Sequence, residues 1–278
     1  MFMYAAARAL SLRIGAKITV DHRSGFKNDS FGRNYELDGF NICGEHASTI
    51  ESFDYPGGRY FRTLSSKVQR HMPFVRTIVV TENNCLINEI IKNPEPRSYL
   101  LDGYWQTDQY FREFSDHIRE EFTIVRNLPP NVLNESHEIQ KLGNRAVALC
   151  VRRYQEVKRF VNLRVTQKDY YMKAIELIRK KIDDPLFVCF SQDQQWVIDN
   201  LADEANIIFA EKKIGPASSI SDLFLITQFQ NIILSNSSFY WWGAWLASHP
   251  EKTVISPNNW VNEHTVPDEW IVIPCKAE

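Results

Sequence analysis

A polar run in the last quarter of the chain lies between an apolar segment and an aromatic one. The short apolar run 232–234 stops at Ser235-Asn236-Ser237-Ser238, side chains that favour the start of a helix, and a continuous aromatic stretch follows. Because the first backbone N–H groups of a helix lack partners and carry partial positive charge, such a turn can bind an anion. We therefore predict a phosphate site here. The alternative is a capped, buried helix whose tryptophans only fill the core.

Two further polar clusters follow predicted strands. Arg152 and Arg153 come after one apolar segment, and Ser191-Gln192-Asp193 comes after the next. Adjacent guanidiniums can donate paired bonds to a diphosphate, and a carboxylate can accept from the paired N–H donors of guanine. A solvated arginine pair and an aspartate helix cap are the alternatives. The carboxyl ends of parallel strands share one edge, which predicts that six residues meet around a nucleotide sugar: Arg152, Arg153, Asp193, Asn236, Ser237 and Ser238.

This chemistry predicts a site without a metal or a cofactor. The chain contains no Asp-x-Asp pair, which commonly holds a metal-bound diphosphate, so arginines and a helix start would offset the charge of the leaving group instead. The five cysteines are scattered and lack Cys-x-x-Cys spacing, which indicates reduced thiols in a cytosolic protein and no structural zinc.

Composition limits the class of protein. The 278 residues are 44% hydrophobic and 13% aromatic, enough for a substantial core and two domains. A formal net charge of -2 argues against a nucleic-acid partner. No apolar run approaches the roughly twenty residues that span a bilayer. We expect a cytoplasmic protein.

The second half alternates strands with helices, which predicts a parallel sheet covered on both faces, as in nucleotide-binding α/β domains. Apolar runs predict strands at residues 145–151, 185–190, 206–209, 231–234, 253–256 and 270–273, and periodicity predicts helices at 169–181, 194–201 and 221–229.

The first half reads as a second α/β domain. A helix at 1–14 precedes a strand at 16–21, so the strand expected before that helix is missing. Further strands are predicted around 35–37, at 76–80 and at 98–105, and a helix at 109–122. The last strand ends in a loop whose Asp102, Tyr104 and Trp105 we expect to contact an acceptor. A proline pair at 129–130 and a polar stretch up to residue 143 place the boundary, giving domains 1–140 and 141–278.

Five segments match known sequence motifs: residues 1–10 resemble MFQYAxGRAL, 35–42 resemble YxLxxFNI, 99–106 resemble YLDGYWQ, 190–196 resemble FSDDxxW and 236–242 resemble NSSFSWW. With these motifs the chain resembles glycosyltransferase family 11, the α-1,2-fucosyltransferases, over nearly its whole length. The resemblance implies a GT-B fold, in which two Rossmann-like α/β domains face a cleft. It also implies metal-independent transfer of L-fucose, with inversion, from GDP-β-L-fucose to the 2-hydroxyl of an acceptor galactose.

The chain departs from the family pattern at two places. The family's GGLGNQ loop, expected before Met1, is absent from these residues, and the HxRRGD motif has Cys150 in place of histidine and Gln155 in place of aspartate. Glu156, one position later, is our candidate general base, with Asp102 as the second choice, and Arg152 is the candidate for stabilising the leaving phosphate.

Two other functions stay open at this point. The altered motif is compatible with a non-catalytic nucleotide-binding or scaffold protein of polysaccharide assembly, and a transferase that uses another GDP-sugar is the other alternative. For an active transferase the expected partners are a GDP-sugar and an oligosaccharide or lipid-linked glycan, at the inner face of the membrane.

Overall fold

The computed structural model describes residues 1–27, 33–52, 54–68, 77–82, 86–153, 165–213, 215 and 218–275, with the backbone alone at 59, 65–68 and 263. The chain forms two compact units, Met1–Thr123 and Ile124–Glu278. The predicted boundary at residue 140 lies later than this one, because the segment that follows Pro129 packs with the second unit.

Six parallel strands form the sheet of the second unit. In chain order they are β5 (Ala146–Val151), β6 (Leu186–Ser191), β7 (Ile207–Phe209), β8 (Asn231–Ile233), β9 (Thr253–Pro257) and β10 (Ile271–Ile273), and their spatial order is β10-β9-β8-β5-β6-β7. The chain thus runs outward from β5 in one direction and from β8 in the other. Such a switch point leaves a crevice at the carboxyl ends of the two central strands, where ligands bind in open α/β sheets.

Helices cover this sheet. They are α5 (Pro130–Leu142), α6 (Lys168–Arg179), α7 (Gln194–Leu201), α8 (Ser218–Thr227) and α9 (Ser238–Leu246). All six residues of β5 are buried, as expected for a central strand with both faces covered. Val147, Leu149 and Val151 belong to one core cluster with α6 and α7, while α8 packs against α5 and α9.

The first unit contains two separate pairs of parallel strands. Its elements are α1 (Phe2–Ile14), β1 (Thr19–Val20), β2 (Glu45–His46), α2 (Gly58–Val68), β3 (Thr77–Thr81), α3 (Leu86–Lys92), β4 (Ser98–Asp102) and α4 (Ser115–Glu121). β1 pairs with β2, and β3 pairs with β4. In chain order, α1 is followed by β1. The predicted α/β class with Rossmann-like parallel sheets is confirmed.

Three local predictions were wrong. Residues 35–37 form no strand; Leu37–Gly39 is a short 3-10 turn instead. The helix predicted at 109–122 becomes regular only at Ser115, because the chain first makes two 3-10 turns around the buried ring of Phe111. The polar stretch after Pro129 is the helix α5, which begins at Pro130, a residue that fits the first helical position because no N–H is needed there.

Candidate active site

The start of α9 is fixed against the carboxyl ends of the two strands that carry the other polar clusters. The buried hydroxyl of Tyr240 donates to the carbonyl oxygen of Phe190 at 2.9 Å and lies 3.5 Å from that of Val151. Burial raises the pKa of Tyr240 well above its ordinary value, so the hydroxyl stays protonated and keeps donating. Since Arg152 and Ser191 are the next residues after these carbonyls, the three predicted clusters share one edge.

Asp193 joins the ends of β5 and β6. Its Oδ2 atom accepts the backbone N–H of Arg153 at 2.8 Å, and its own N–H donates to Oγ of Ser191 at 2.9 Å. The side chain is only 9% exposed. Asp193 therefore fixes the backbone directly after β5. The contact with a guanine base that the sequence predicts would be a second role of this carboxylate.

The two arginines have different surroundings. The guanidinium of Arg153 lies over the Trp196 ring, 4.4 Å from its centroid, and donates to the carbonyl oxygen of Thr166 at 3.2 Å and to Oε1 of Gln167 at 3.3 Å. Arg152 instead bonds through its guanidinium to the side-chain oxygen of Gln192, a loop residue after β6. Arg153 is thus held by the residues just before α6 and by α7, whereas Arg152 is held at the rim of the crevice.

Thr166 connects the arginine cluster to the serine-rich turn. This fully buried residue precedes α6; its carbonyl accepts from Arg153, and its hydroxyl donates to Oδ1 of Asn236 at 3.2 Å. The amide of Asn236 also donates to the carbonyl oxygen of Asn259 at 3.4 Å. Sequence reasoning missed Thr166, because a threonine before a helix indicates a helix start and gives no sign of a contact seventy positions away.

Ser237 and Ser238 begin α9 as predicted. Ser237 precedes the helix in an extended conformation, and its carbonyl accepts the N–H of Trp241 at 2.9 Å, the first helical bond. Ser237 is 6% exposed and Ser238 is half-buried. Within the part of the chain that the structure describes, the Ser237 hydroxyl makes no capping bond to the helix. The helix start therefore combines partial positive charge with two hydroxyls.

The predicted acceptor loop lies in the first unit, at the end of β4. Tyr104 is 67% exposed, whereas Trp105 is 1% exposed and belongs to the core of that unit. Asp102 forms an ion pair with Arg62, with Oδ2 and Nε 3.3 Å apart. The exposed aromatic ring of the loop is thus Tyr104, and the indole of Trp105 packs inside.

Glu82 holds this loop and was not singled out from the sequence. It follows β3, and its carboxylate accepts the backbone N–H of Trp105 at 2.6 Å and that of Tyr104 at 3.3 Å. Its position directly after a predicted strand was the available signal. An acid placed there can fix the neighbouring strand's loop through two N–H bonds.

The chain departs from the HxRRGD motif at Cys150 and at Gln155, and of these two positions the structure describes Cys150. Cys150 is fully buried in β5, and burial raises the pKa of its thiol well above the ordinary value, so this side chain is a core residue. Gln155 and Glu156 lie outside the described residues, so the assignment of Glu156 as general base stays a prediction.

The described residues provide neither a cluster of metal ligands nor a membrane-spanning helix. Among the residues that the structure describes, no three histidine, cysteine, aspartate or glutamate side chains are grouped as metal ligands would be. Within the same ranges, none of the helices combines the length and the apolar character needed to cross a bilayer.

A parallel sheet whose neighbouring strands β6, β5 and β8 are followed by a carboxylate, a guanidinium and a hydroxyl-rich helix start defines an α/β protein with polar groups beside the switch point of its sheet. The family assignment is more specific. The model of glycosyl transferase family 11 matches residues 82–273, which include every part of this site, and the chain belongs to that family.

The chain is similar to several proteins named as glycosyltransferases. The chain is 29% identical to the O-antigen biosynthesis glycosyltransferase WbnK of Escherichia coli, over 94% of this chain and 90% of that protein. It is 25% identical to the alpha-1,2-colitosyltransferase of Escherichia coli, over 98% and 94%. A galactoside alpha-(1,2)-fucosyltransferase 1 from Ateles belzebuth is 29% identical over 53% and 42%. Among solved structures, a glycosyl transferase of family 9 from Veillonella parvula is similar with a TM-score of 0.44 and 9% identity, covering 99% of this chain and 84% of that one.

Proposed function

We propose that this glycosyltransferase transfers L-fucose from GDP-β-L-fucose to the 2-hydroxyl of a galactose in a glycan acceptor, with inversion and without a metal. In this proposal the second unit binds the donor and the first unit binds the acceptor. One observation supports it: Arg152, Asp193 and the Ser237–Ser238 helix start follow the carboxyl ends of the neighbouring strands β5, β6 and β8, beside the switch point of the sheet.

The charges suit a departing diphosphate. The guanidinium of Arg152 and the partial positive charge at the start of α9 would both lie at the edge where negative charge develops as the sugar leaves. Asp193, with one carboxylate oxygen on the backbone of Arg153, would direct the other toward the N–H groups of guanine. Asn236, Ser237 and Ser238 would bind the phosphate oxygens.

The acceptor hydroxyl needs a base on the face opposite the leaving group. We propose Glu156 for this role. Asp102 is the second candidate, but its ion pair with Arg62 holds its carboxylate within the first unit. Tyr104, the exposed ring of that loop, would pack against the acceptor sugar.

The test of the donor site is the Arg152→Ala variant, assayed for hydrolysis of GDP-fucose and for transfer to a galactoside. We expect turnover to fall about 10²–10³-fold, the usual cost of removing one group that stabilises developing charge. Arg179→Ala, at the exposed end of α6, is the matched control and should behave as wild type. Turnover by Arg152→Ala at the wild-type rate would exclude the diphosphate contact.

A second donor deserves the same assay, because the chain is similar over almost its full length to a protein named alpha-1,2-colitosyltransferase. Colitose is fucose without the 3-hydroxyl, so the two donors differ by one hydrogen-bonding group. A comparison of kcat/KM for GDP-fucose and GDP-colitose decides between them. Calorimetry with GDP covers the non-catalytic alternative: binding without turnover of either donor, over a panel of galactosides, would identify a binding protein.

The acceptor that we propose is a lipid-linked glycan at the inner face of the membrane. The similarity to a protein named for O-antigen biosynthesis supports this choice. Mass spectrometry of an array of galactoside acceptors, free and lipid-linked, would identify the glycan. Equal rates of sugar transfer to the free and the lipid-linked acceptors would contradict the proposal that the acceptor is a lipid-linked glycan at the membrane.

A further inference from the structure

The helix α2 of the first unit has an apolar face that is open to solvent. Tyr60 is 69% exposed, Phe61 is 51% exposed and Leu64 is 41% exposed. With about 3.6 residues per turn, these three positions lie on one side of the helix. We call them the aromatic face of α2. The apolar side of a surface helix normally packs against the core, and a cluster of exposed apolar side chains marks an interaction site.

The other side of α2 attaches the helix to its unit. The helix packs against β3, and its first residue, Gly58, is buried. Arg62 is half-buried and forms an ion pair with Asp102 at the end of β4, with Nε and Oδ2 3.3 Å apart. Gly58 and Arg62 are four positions apart and therefore share the side that contacts the unit. The polarity of α2 is thus the reverse of that of a core-facing helix.

Ring contacts join the exposed aromatic side chains into one surface. The rings of Tyr60 and Phe61 have centroids 6.1 Å apart, and the ring of Tyr55, in the turn before α2, lies 6.4 Å from that of Phe61. Tyrosine combines an apolar ring with a polar tip, and it is enriched where a bilayer meets water. Two tyrosines beside a phenylalanine and a leucine therefore suit the headgroup region of a membrane.

Positive charge accompanies this face. Residues 55–81 contain no aspartate or glutamate, although the chain as a whole has a formal net charge of -2. The lysine and arginine residues of this segment are Arg59, Arg62, Lys67, Arg70 and Arg76. A basic helix with an aromatic, apolar side is typical of segments that lie in the interface of an anionic bilayer. A second copy of the chain fits less well, because a symmetric dimer through α2 would bring two cationic segments together.

The aromatic face belongs to the helix that holds the proposed acceptor loop. The ion pair between Arg62 and Asp102 connects α2 to the loop after β4, in which Tyr104 is 67% exposed. Both elements lie in the first unit. A membrane bound through α2 would therefore have this loop beside it.

We propose that the aromatic face of α2 inserts into the headgroup region of an anionic bilayer. This inference deepens the proposed function and rests on it for the lipid-linked acceptor. The helix lies on the membrane surface and buries its face about 5–10 Å deep, as interfacial helices do. It thereby places the acceptor loop near the lipid surface from which the glycan extends.

Vesicle flotation tests this docking without donor or acceptor. The probes are anionic vesicles of phosphatidylglycerol with phosphatidylethanolamine and neutral vesicles of phosphatidylcholine. We expect the chain to partition into the anionic vesicles and about tenfold less into the neutral ones. High salt should release it, because salt screens the attraction between basic side chains and lipid headgroups.

Leu64→Ser should lower the partition coefficient for anionic vesicles about tenfold, equivalent to about 1.4 kcal/mol, because it removes apolar surface that leaves water on insertion. Phe61→Ser should change partition in the same direction. Leu133→Ser is the matched control, since Leu133 is a 43% exposed leucine on the helix α5 of the second unit, and it should float as wild type does. Circular dichroism and thermal unfolding identify the variants that are folded.

Three results would overturn the proposal. The first is a wild-type chain that does not float with anionic vesicles, or that partitions equally into neutral ones. The second is a pair of folded α2 variants that float as wild type does. The third is a wild-type dimer in sedimentation velocity that dissociates on Leu64→Ser, since the face would then bind a second copy.

Transfer of sugar to soluble methyl β-galactoside, without vesicles, tests the proposed reaction separately. Leu64→Ser should keep the wild-type kcat/KM on this acceptor and transfer more slowly than wild type to a lipid-linked glycan in vesicles. Flotation by a chain that transfers no sugar would keep the docking surface and reject the reaction. Transfer by a chain that does not float would keep the reaction and reject the docking surface.

Discussion

Arg152 and Arg153 are adjacent, yet their contacts give them different tasks. Arg153 is stacked on Trp196 and bonded to the carbonyl of Thr166, which in turn bonds Asn236. This chain of contacts runs from β5 to the turn before α9, so the guanidinium of Arg153 stabilises the geometry of the crevice. The side chain of Arg152 lies at the rim of the crevice, where its guanidinium bonds Gln192. In this position it can bind a ligand.

Replacing each arginine by lysine should separate these tasks. Arg153→Lys loses the planar group that stacks and donates in two directions, and we expect the free energy of unfolding to drop by about 1–2 kcal/mol. Arg152→Lys should leave stability near wild type and weaken GDP binding. Chemical denaturation and calorimetry measure the two effects. Equal losses of stability in both variants would contradict this assignment.

Asp222 gives the second unit a pH-dependent stability. Burial raises the pKa of this α8 carboxyl to about 6 from an ordinary 3.8, with Lys213 opposing the rise and Glu135 adding to it. Between these values the folded chain binds more protons than the unfolded chain, so stability falls as pH rises from about 4 to about 6.

Asp222→Asn should therefore raise the free energy of unfolding at pH 7 by about 1 kcal/mol and flatten its decline across this window. The gain is set below the full linkage value because an amide does not reproduce every contact of the neutral carboxyl group. Denaturation curves at several pH values provide the measurement, with the exposed Asp203→Asn as control. A variant less stable than wild type at pH 7 would mean that the attraction to Lys213 outweighs burial.

Helices α8 and α9 approach closely because α9 carries a glycine at their contact. A Cβ atom at Gly243 would lie 2.5 Å from Cγ2 of Ile226, a fully buried side chain of α8. Such overlap forces shifts in a packed core. The contact sets the position of α9, and with it the position of the Ser237–Ser238 start at the crevice.

Gly243→Ala should consequently destabilise the chain by about 1–3 kcal/mol, although alanine is the better helix former. Gly25→Ala, at a position where an added Cβ meets nothing within 4 Å, is the matched control. The double variant with Ile226→Ala should lose less than the sum of the single losses, since the clash is then relieved. Additive losses in thermal unfolding would show that the two side chains do not compete for this space.

The sequence predicted those elements whose signals are local. The strands of the second unit and the start of α9 have apolar runs and capping residues at their ends, and they were found within a few residues. The sequence does not reveal α5, because a proline usually breaks a helix, whereas Pro130 occupies the first helical position. The contacts of Thr166 and Glu82 could not be read from the chain, since they depend on which loops meet at the end of a sheet.

The two units divide the proposed substrates between them. The residues expected to bind the donor lie in Ile124–Glu278, and Asp102 and Tyr104, expected to bind the acceptor galactose, lie in Met1–Thr123. The switch point follows from the order of six strands, which fixes the crevice for any sequence of this topology. The chemistry within it depends on this chain's own side chains.

Hydrogen exchange should therefore map each substrate to its own unit. With GDP at about 100 times its Kd, where binding adds about 2.7 kcal/mol of stability, we expect slower exchange in peptides covering 150–153, 190–194 and 235–241. Peptides from 98–107 should stay unchanged with GDP and slow down when methyl β-galactoside is added. The Arg152→Ala variant is the control, because weaker GDP binding should reduce protection at all three donor segments together. Protection by GDP confined to 98–107 would reverse the division of substrates and, with it, the donor site at the switch point of β5 and β8.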